Sequence, residues 1–249
     1  MLSNRQIVQI ERHEWEDGLV ALSFEDAAAA TTSQPLVFVL HGLGSRKERH
    51  LDLCLRLAKA GFRACALDAR LHGERQAAES AVLAADRRSL PFLSVFAQTV
   101  QGTVADIATI ATELGATRYG VVGHSMGGFI AMATGLADRR ATVVVNVSGS
   151  LETRVPPEIA HGLPPTALAG IAALNVVARA GEFWPASVLL VHGQADETVS
   201  IEGARRLYQA LLPFYAEDPA RLVLTEFDGV GHEWTPEMAA LAVEFLRRL

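Results

Sequence analysis

The stretch Tyr119-Gly-Val-Val-Gly-His-Ser125-Met-Gly-Gly128 constrains this chain more than any other. An apolar run ends in Gly123-His124-Ser125-Met126-Gly127, and an alanine-rich, helix-compatible segment follows. This is the pattern G-x-S-x-G, with the serine on a sharp turn between a strand and a helix. A side chain at either glycine would collide with the neighbouring strand and helix. The serine hydroxyl is expected to stand above a sheet, with a helix N-terminus beneath it favouring negative charge. So short a motif also arises by chance, and its context and partners must carry the argument.

From residue 35 onward, strand and helix patterns alternate. Pro35–Leu40 is a continuous apolar run, as expected for a strand buried on both faces. Ser45 and Glu48 stand at capping-box spacing, and Leu51, Cys54, Leu55 and Ala58 follow a helical stripe that Gly61 stops. Phe62–Leu67 reads as the next strand. Residues 69–95 are less regular, and helical spacing resumes from Gln98 through Val100, Val104, Ile107, Ala111 and Leu114. Thr142–Val147, Ser187–Val191 and Arg221–Phe227 read as further strands. A helix passes through Ala204, Leu207, Tyr208 and Leu211, and Thr235-Pro236 caps a last one. Such alternation predicts an α/β fold, a mostly parallel, doubly wound sheet with helices on both faces. Ahead of it, segments 6–14 and 19–24 flank Asp17-Gly18, a strong turn signal, and predict an antiparallel hairpin. The whole chain, 1–249, reads as one domain. Residues 149–185 hold five prolines and an apolar, helix-like patch around Leu168–Ala180, and read as a small helical cap over the carboxyl edge of the sheet.

Every chemically suggestive residue follows a predicted strand: His41-Gly42, Asp68, Ser125, Asp196 and His232. Such positions line one edge of a parallel sheet, so distant residues can converge there. A neutral serine needs a base. In the chain order Ser, acid, His the base must come late, and His232 is the only histidine after Val199. Its acid partner is expected at Asp196, with Glu152 as the competitor. Two backbone N–H donors are expected to meet the oxyanion: Met126, after the nucleophile, and Leu43, after the 35–40 strand. His124 reads as structural and His192 as a buried histidine beside the acid turn. His13, His50 and His161 are assigned no chemistry. Asp68 and His72 suit a loop-anchoring hydrogen bond better than a metal pair, since no third ligand is evident.

Taken together, HG at 41–42, GHSMG at 123–127, HGQAD at 192–196 and GH at 231–232 resemble the α/β-hydrolase superfamily of serine hydrolases. The likeness spans about residues 35–248. The short chain, the D-x-x-x-H-G segment at 68–73 and the modest insertion resemble the dienelactone-hydrolase-like and prolyl-oligopeptidase-like small bacterial carboxylesterases. That resemblance implies a Ser125–Asp196–His232 triad and hydrolysis of small to medium carboxylic esters, with no cofactor and no metal. Acyl transfer, thioester cleavage or peptide hydrolysis would use the same residues, and a non-catalytic binding protein on this fold is the contrasting class. Dienelactone hydrolases proper use a cysteine nucleophile, so the serine here removes that specific activity.

Composition narrows the partners. A net charge of -6 and no basic stripe argue against nucleic acid. No apolar run approaches the roughly 20 residues of a membrane span, and the first residues lack a signal-peptide core. Cys54 and Cys65 sit in apolar stretches and read as free thiols of a reducing compartment. A cytoplasmic enzyme acting on a small-molecule ester is the expectation.

Overall fold

The computed structural model describes residues 6–15, 18–28, 34–87, 89–149 and 165–249. Eight strands form one sheet: β1 (Val8–Glu14), β2 (Val20–Asp26), β3 (Leu36–Leu40), β4 (Arg63–Leu67), β5 (Tyr119–His124), β6 (Ala141–Val147), β7 (Ser187–Gly193) and β8 (Leu222–Phe227). Their order is β1-β2-β4-β3-β5-β6-β7-β8. β2 runs antiparallel to both β1 and β4, and every pairing from β4 to β8 is parallel. The expected hairpin and parallel sheet are both present. All five residues of β3 and all seven of β7 are buried, which explains the apolar runs Leu36–Leu40 and Val188–Val191. β1 lies at the edge, mostly exposed, and carries Glu11, Arg12 and Glu14, charges that discourage pairing with another chain.

Six helices complete the described fold: α1 (Leu51–Lys59), α2 (Leu90–Glu113), α3 (Met126–Ala137), α4 (Pro165–Ala173), α5 (Glu202–Leu211) and α6 (Pro236–Leu246). α1 and α6 cover one face, where Leu53, Leu57, Met238 and Phe245 pack on Val39, Ala66 and Val122. The other face carries α2, α3 and α5, with Ile107, Phe129 and Leu207 on Phe38, Val121 and Leu190. α3 is buried from Met126 through Gly135, so it is apolar all round rather than amphipathic. A side chain such as Phe129 contributes ~1.5–3 kcal/mol by this burial.

Three local expectations need correction. Ser45 and Glu48 do not cap a helix; a 3₁₀ turn, Lys47–His50, intervenes with no side-chain cap. The buried stripe of α1 is Leu53, Cys54, Leu57 and Ala58, while Leu51 is exposed. The helix expected from Gln98 begins at Leu90, where the Ser89 hydroxyl accepts from the Phe92 N–H. Of the proposed cap, residues 150–164 lie outside the described residues, with Glu152, Ile159, His161 and Leu163. The helix-like patch 168–180 is two short segments: α4 ends at Ala173, and a 3₁₀ segment, Val177–Glu182, follows. Gln101 of α2 donates to the Gly170 carbonyl at 3.1 Å, fixing α4 against α2.

The sheet order creates a crevice. From β3 the chain moves outward to β4, then crosses back to β5 on the other side of β3. Connections diverge between the carboxyl ends of β3 and β5, where open α/β sheets bind ligands. His41-Gly42 and His124-Ser125 flank that gap.

Candidate active site

Ser125 sits between β5 and α3 at φ 57°, ψ -119°, a left-handed conformation that costs a residue with a side chain ~1–3 kcal/mol. Its surroundings impose it. The Ser125 N–H donates to the Val147 carbonyl at 2.8 Å, and its own carbonyl accepts from Phe129 at 3.1 Å. A Cβ on Gly123 would lie 2.2 Å from the Gly127 backbone, and one on Gly127 would lie 2.3 Å from the Leu40 carbonyl oxygen. No side chain fits either place, so α3 is drawn tightly over the sheet and the Ser125 hydroxyl is held at its edge.

β7 and β8 deliver the other two polar groups. Past β7 the chain turns so that Asp196 Oδ1 accepts from the Thr198 and Val199 N–H groups, both at 2.9 Å. The loop after β8 is tied to this turn: Gln194 N–H donates to Phe227 and Ala195 N–H to Val230, each at 2.9 Å. Those bonds set His232 beside Asp196. His232 Nδ1 lies 2.7 Å from Asp196 Oδ2, and Nε2 lies 2.9 Å from Ser125 Oγ. Burial alone pushes the Asp196 carboxyl up, but the Val199 N–H, His232 and the Thr198 N–H outweigh it and hold it below its ordinary value. An ionised carboxylate only accepts hydrogen bonds, so neutral His232 carries its proton on Nδ1 and turns a basic Nε2 to the serine. His192 is buried, donates from Nε2 to the Val199 carbonyl at 2.8 Å and stands 3.3 Å from Asp196 Oδ2.

A wall of rings backs this arrangement. The His124 ring is 5.0 Å from that of His232 and 6.1 Å from that of Trp234, and His50 stands 5.1 Å from Trp234. The Nε2 atoms of His124 and His50 are buried and have no hydrogen-bond partner among the described residues. Burial pushes the His50 imidazole down to about 4; burial and the neighbouring His232 push that of His124 down to about 3. Both are neutral at physiological pH. Sequence reading missed Trp234 and His50. Trp234 could have been suspected two residues beyond His232, whereas nothing local marks His50.

On the other side of Ser125 runs the loop after β3. A Cβ on Gly42 would meet Ser125 Cβ at 3.4 Å, so this backbone lies against the serine. Leu43 follows directly. Met126 occupies the first position of α3, where an N–H has no acceptor within its own helix. Asp68, fully buried at the end of β4, takes hydrogen bonds from the Lys47 N–H at 2.7 Å, Lys47 Nζ at 2.9 Å and the Glu74 N–H at 3.0 Å. It anchors two loops, and His72 turns its Nδ1 to the Arg70 carbonyl instead. Among the described residues, no three His, Cys, Asp or Glu side chains are grouped to hold a metal ion, and no helix is long and apolar enough to cross a membrane.

Known proteins share this architecture. "Putative esterase YitV" of Bacillus subtilis is 24% identical over 227 residues, covering 83% of this chain and 86% of that one. The crystal structure of TT1662 from Thermus thermophilus superposes with a TM-score of 0.80 at 26% identity, covering 97% of this chain and 98% of that one. A cold-adapted esterase from an Arctic intertidal metagenomic library shares the fold with a TM-score of 0.70 at 22% identity, covering 98% and 96%. The model of the family described as "Serine aminopeptidase, S33" matches residues 31–167. With that match over more than half its length, on a sheet with the serine elbow in place, the chain belongs to the S33 serine aminopeptidase family of α/β-hydrolases.

Proposed function

We propose that this protein is a serine esterase in which Ser125 is the nucleophile, His232 the general base and Asp196 the acid that orients it. The observation that carries this reading is the unbroken hydrogen-bonded series from Asp196 Oδ2 through His232 to Ser125 Oγ, at 2.7 and 2.9 Å. Ser125 Oγ attacks the acyl carbonyl carbon as His232 Nε2 takes its proton. The carbonyl oxygen becomes an oxyanion, which accepts from the Leu43 and Met126 N–H groups. His232 then gives the proton to the departing alkoxide, leaving Ser125 acylated. Water, deprotonated by His232, repeats the attack and releases the acid. Asp196 keeps its negative charge throughout and stabilises the imidazolium.

The family's name points to amide bonds, which the same residues can cleave, so peptidase activity is the second reading. We place the protein in the cytoplasm, in keeping with its two buried free thiols. We also assign the whole chain to one domain, with 149–185 as a cap over the crevice. A cap of this size leaves little depth, and each buried CH₂ contributes up to ~0.8 kcal/mol only until the pocket is full. The preferred acyl groups are therefore short to medium.

The test is kcat/KM on p-nitrophenyl esters from acetate to palmitate, alongside aminoacyl p-nitroanilides, with Ser125→Ala as control. Efficiency should peak at short or medium chains, and Ser125→Ala should lose on the order of 10⁴ or more in turnover. A steady rise to palmitate would refute the small cap. Faster turnover of the anilides would favour the peptidase.

A further inference from the structure

The peptide between Gly42 and Leu43 carries two groups of opposite use. Its N–H is the donor assigned above to the oxyanion, and its C=O is held from behind. Ala69 N–H donates to His41 Nε2 at 3.0 Å, so that nitrogen carries no hydrogen and the proton resides on Nδ1. His41 Nδ1–H then donates to the Gly42 carbonyl at 2.8 Å. Ser45 N–H donates to the same oxygen at 3.2 Å. In a trans peptide the C=O and N–H point in opposite directions. Two donors gripping the carbonyl therefore fix the direction of the Leu43 N–H, in backbone that packs against Ser125.

We infer that His41 is a positioning residue for the oxyanion donor at Leu43, with Lys47 and Asp68 securing the far end of the same loop; this rests on the serine-hydrolase reading above. The far end is built for rigidity. Lys47 is 2% exposed and Asp68 0%, and Asp68 receives both the backbone and the side chain of Lys47. Glu74 pairs with Lys47 as well. The loop is thus tied to the β4 loop on both sides of Leu43, at His41 through Ala69 and at Lys47 through Asp68. His41 itself is 1% exposed, and burial pushes its imidazole down to about 4, which keeps the ring neutral so that Nε2 can accept from Ala69. The peptide direction is set before any substrate arrives, which is what makes an oxyanion donor effective.

Two substitutions separate this role from mere anchoring. The amide of His41→Asn reaches about as far as Nδ1 and retains a donor for the Gly42 carbonyl. That of His41→Gln reaches about as far as Nε2 and retains only the acceptor for Ala69. Each variant is titrated to completion with a fluorophosphonate, so that kcat is counted per reactive serine. Affinity is measured for an acyl trifluoromethyl ketone, which Ser125 attacks to form a hemiketal whose oxyanion occupies the same site. We expect His41→Gln to lose about 10- to 100-fold in kcat and a similar factor in ketone affinity, with KM within a few-fold. His41→Asn should recover much of both. The inference is overturned if His41→Gln outperforms His41→Asn, if both match the wild type, or if kcat falls while ketone affinity holds. If either variant fails to fold, Lys47→Met carries the same two measurements, with parallel losses supporting the clamp and unchanged ketone affinity refuting it. Should the wild type cleave no ester, the esterase reading fails, and the order of ketone affinities still judges the clamp.

Discussion

Asp196 is held so that its two oxygens cannot exchange roles. Oδ1 faces the N–H groups of Thr198 and Val199, and Oδ2 faces His232 Nδ1. In Asp196→Asn the amide oxygen must stay on the side of the two backbone donors, because an NH₂ group there would meet two hydrogens. The NH₂ group is then turned toward His232 and forces its proton onto Nε2, where it cannot accept from Ser125. We expect kcat to fall by roughly 10⁴ with little change in stability. Steady-state kinetics per titrated site measure this, and a loss of less than about tenfold would move the acid elsewhere. Glu152, the other candidate from sequence, lies outside the described residues, and Glu152→Gln serves as the paired control. At this scale the sequence was legible because chain order left one late histidine and strand ends marked the remaining groups. It was silent on Trp234, His50 and the grip of His41 on Gly42, since these depend on which loops meet in space.

Strands were readable as short apolar runs because they are buried on both faces, and helices where they start on a cap and keep a period. β3, β5 and β7 announce themselves as apolar runs, and α6 begins at Thr235, whose hydroxyl accepts from the Met238 N–H at 3.2 Å. The first two turns of α2 were missed because Leu90, Phe92, Leu93, Val95 and Phe96 give no helical period, although Ser89 and Pro91 form a start signal. These turns pack their own rings: Phe92 stacks on Phe96 at 5.6 Å, and Phe96 on Phe129 at 5.8 Å. The opposite failure occurred at Ser45, where a capping pattern is present but tertiary structure prevails. Asp68 claims the Lys47 N–H, and the chain makes a 3₁₀ turn before α1 starts. Removing the true cap tests the longer α2. Ser89→Ala should cost about 1 kcal/mol in urea unfolding. If helix began only at Gln98, the same substitution would cost nothing measurable.

Across the whole molecule, the fold gathers neutral histidines around one edge of the sheet, and this makes its stability depend on pH. Burial pushes His41 and His50 down to about 4; burial together with His232 pushes His124 down to about 3; burial lowers His72 and His192 as well. In the unfolded chain each returns to about 6.5. Below that pH the unfolded state takes up protons that the folded state refuses, so stability falls as pH falls. The contribution is fully present above about pH 6.5 and is lost progressively down to about pH 4. Each such histidine contributes a slope of about 1.4 kcal/mol per pH unit, so His41, His50 and His124 together approach about 4. Over the pH interval between about 6.5 and 4 that slope adds up to an amount of the same order as a total stability of roughly 5–15 kcal/mol, so stability should fall markedly before most carboxylates titrate. Urea midpoints at pH 7.5, 6.5, 5.5 and 4.5 should therefore drop steeply over the last three values. His50→Phe keeps a ring against Trp234 and removes one titrating group, so its slope should be shallower by about one proton. A flat profile from pH 7.5 to 5, or an unchanged slope in His50→Phe, would mean that these imidazoles are hydrated in solution and that the ring wall behind His232 is looser than the packing described here.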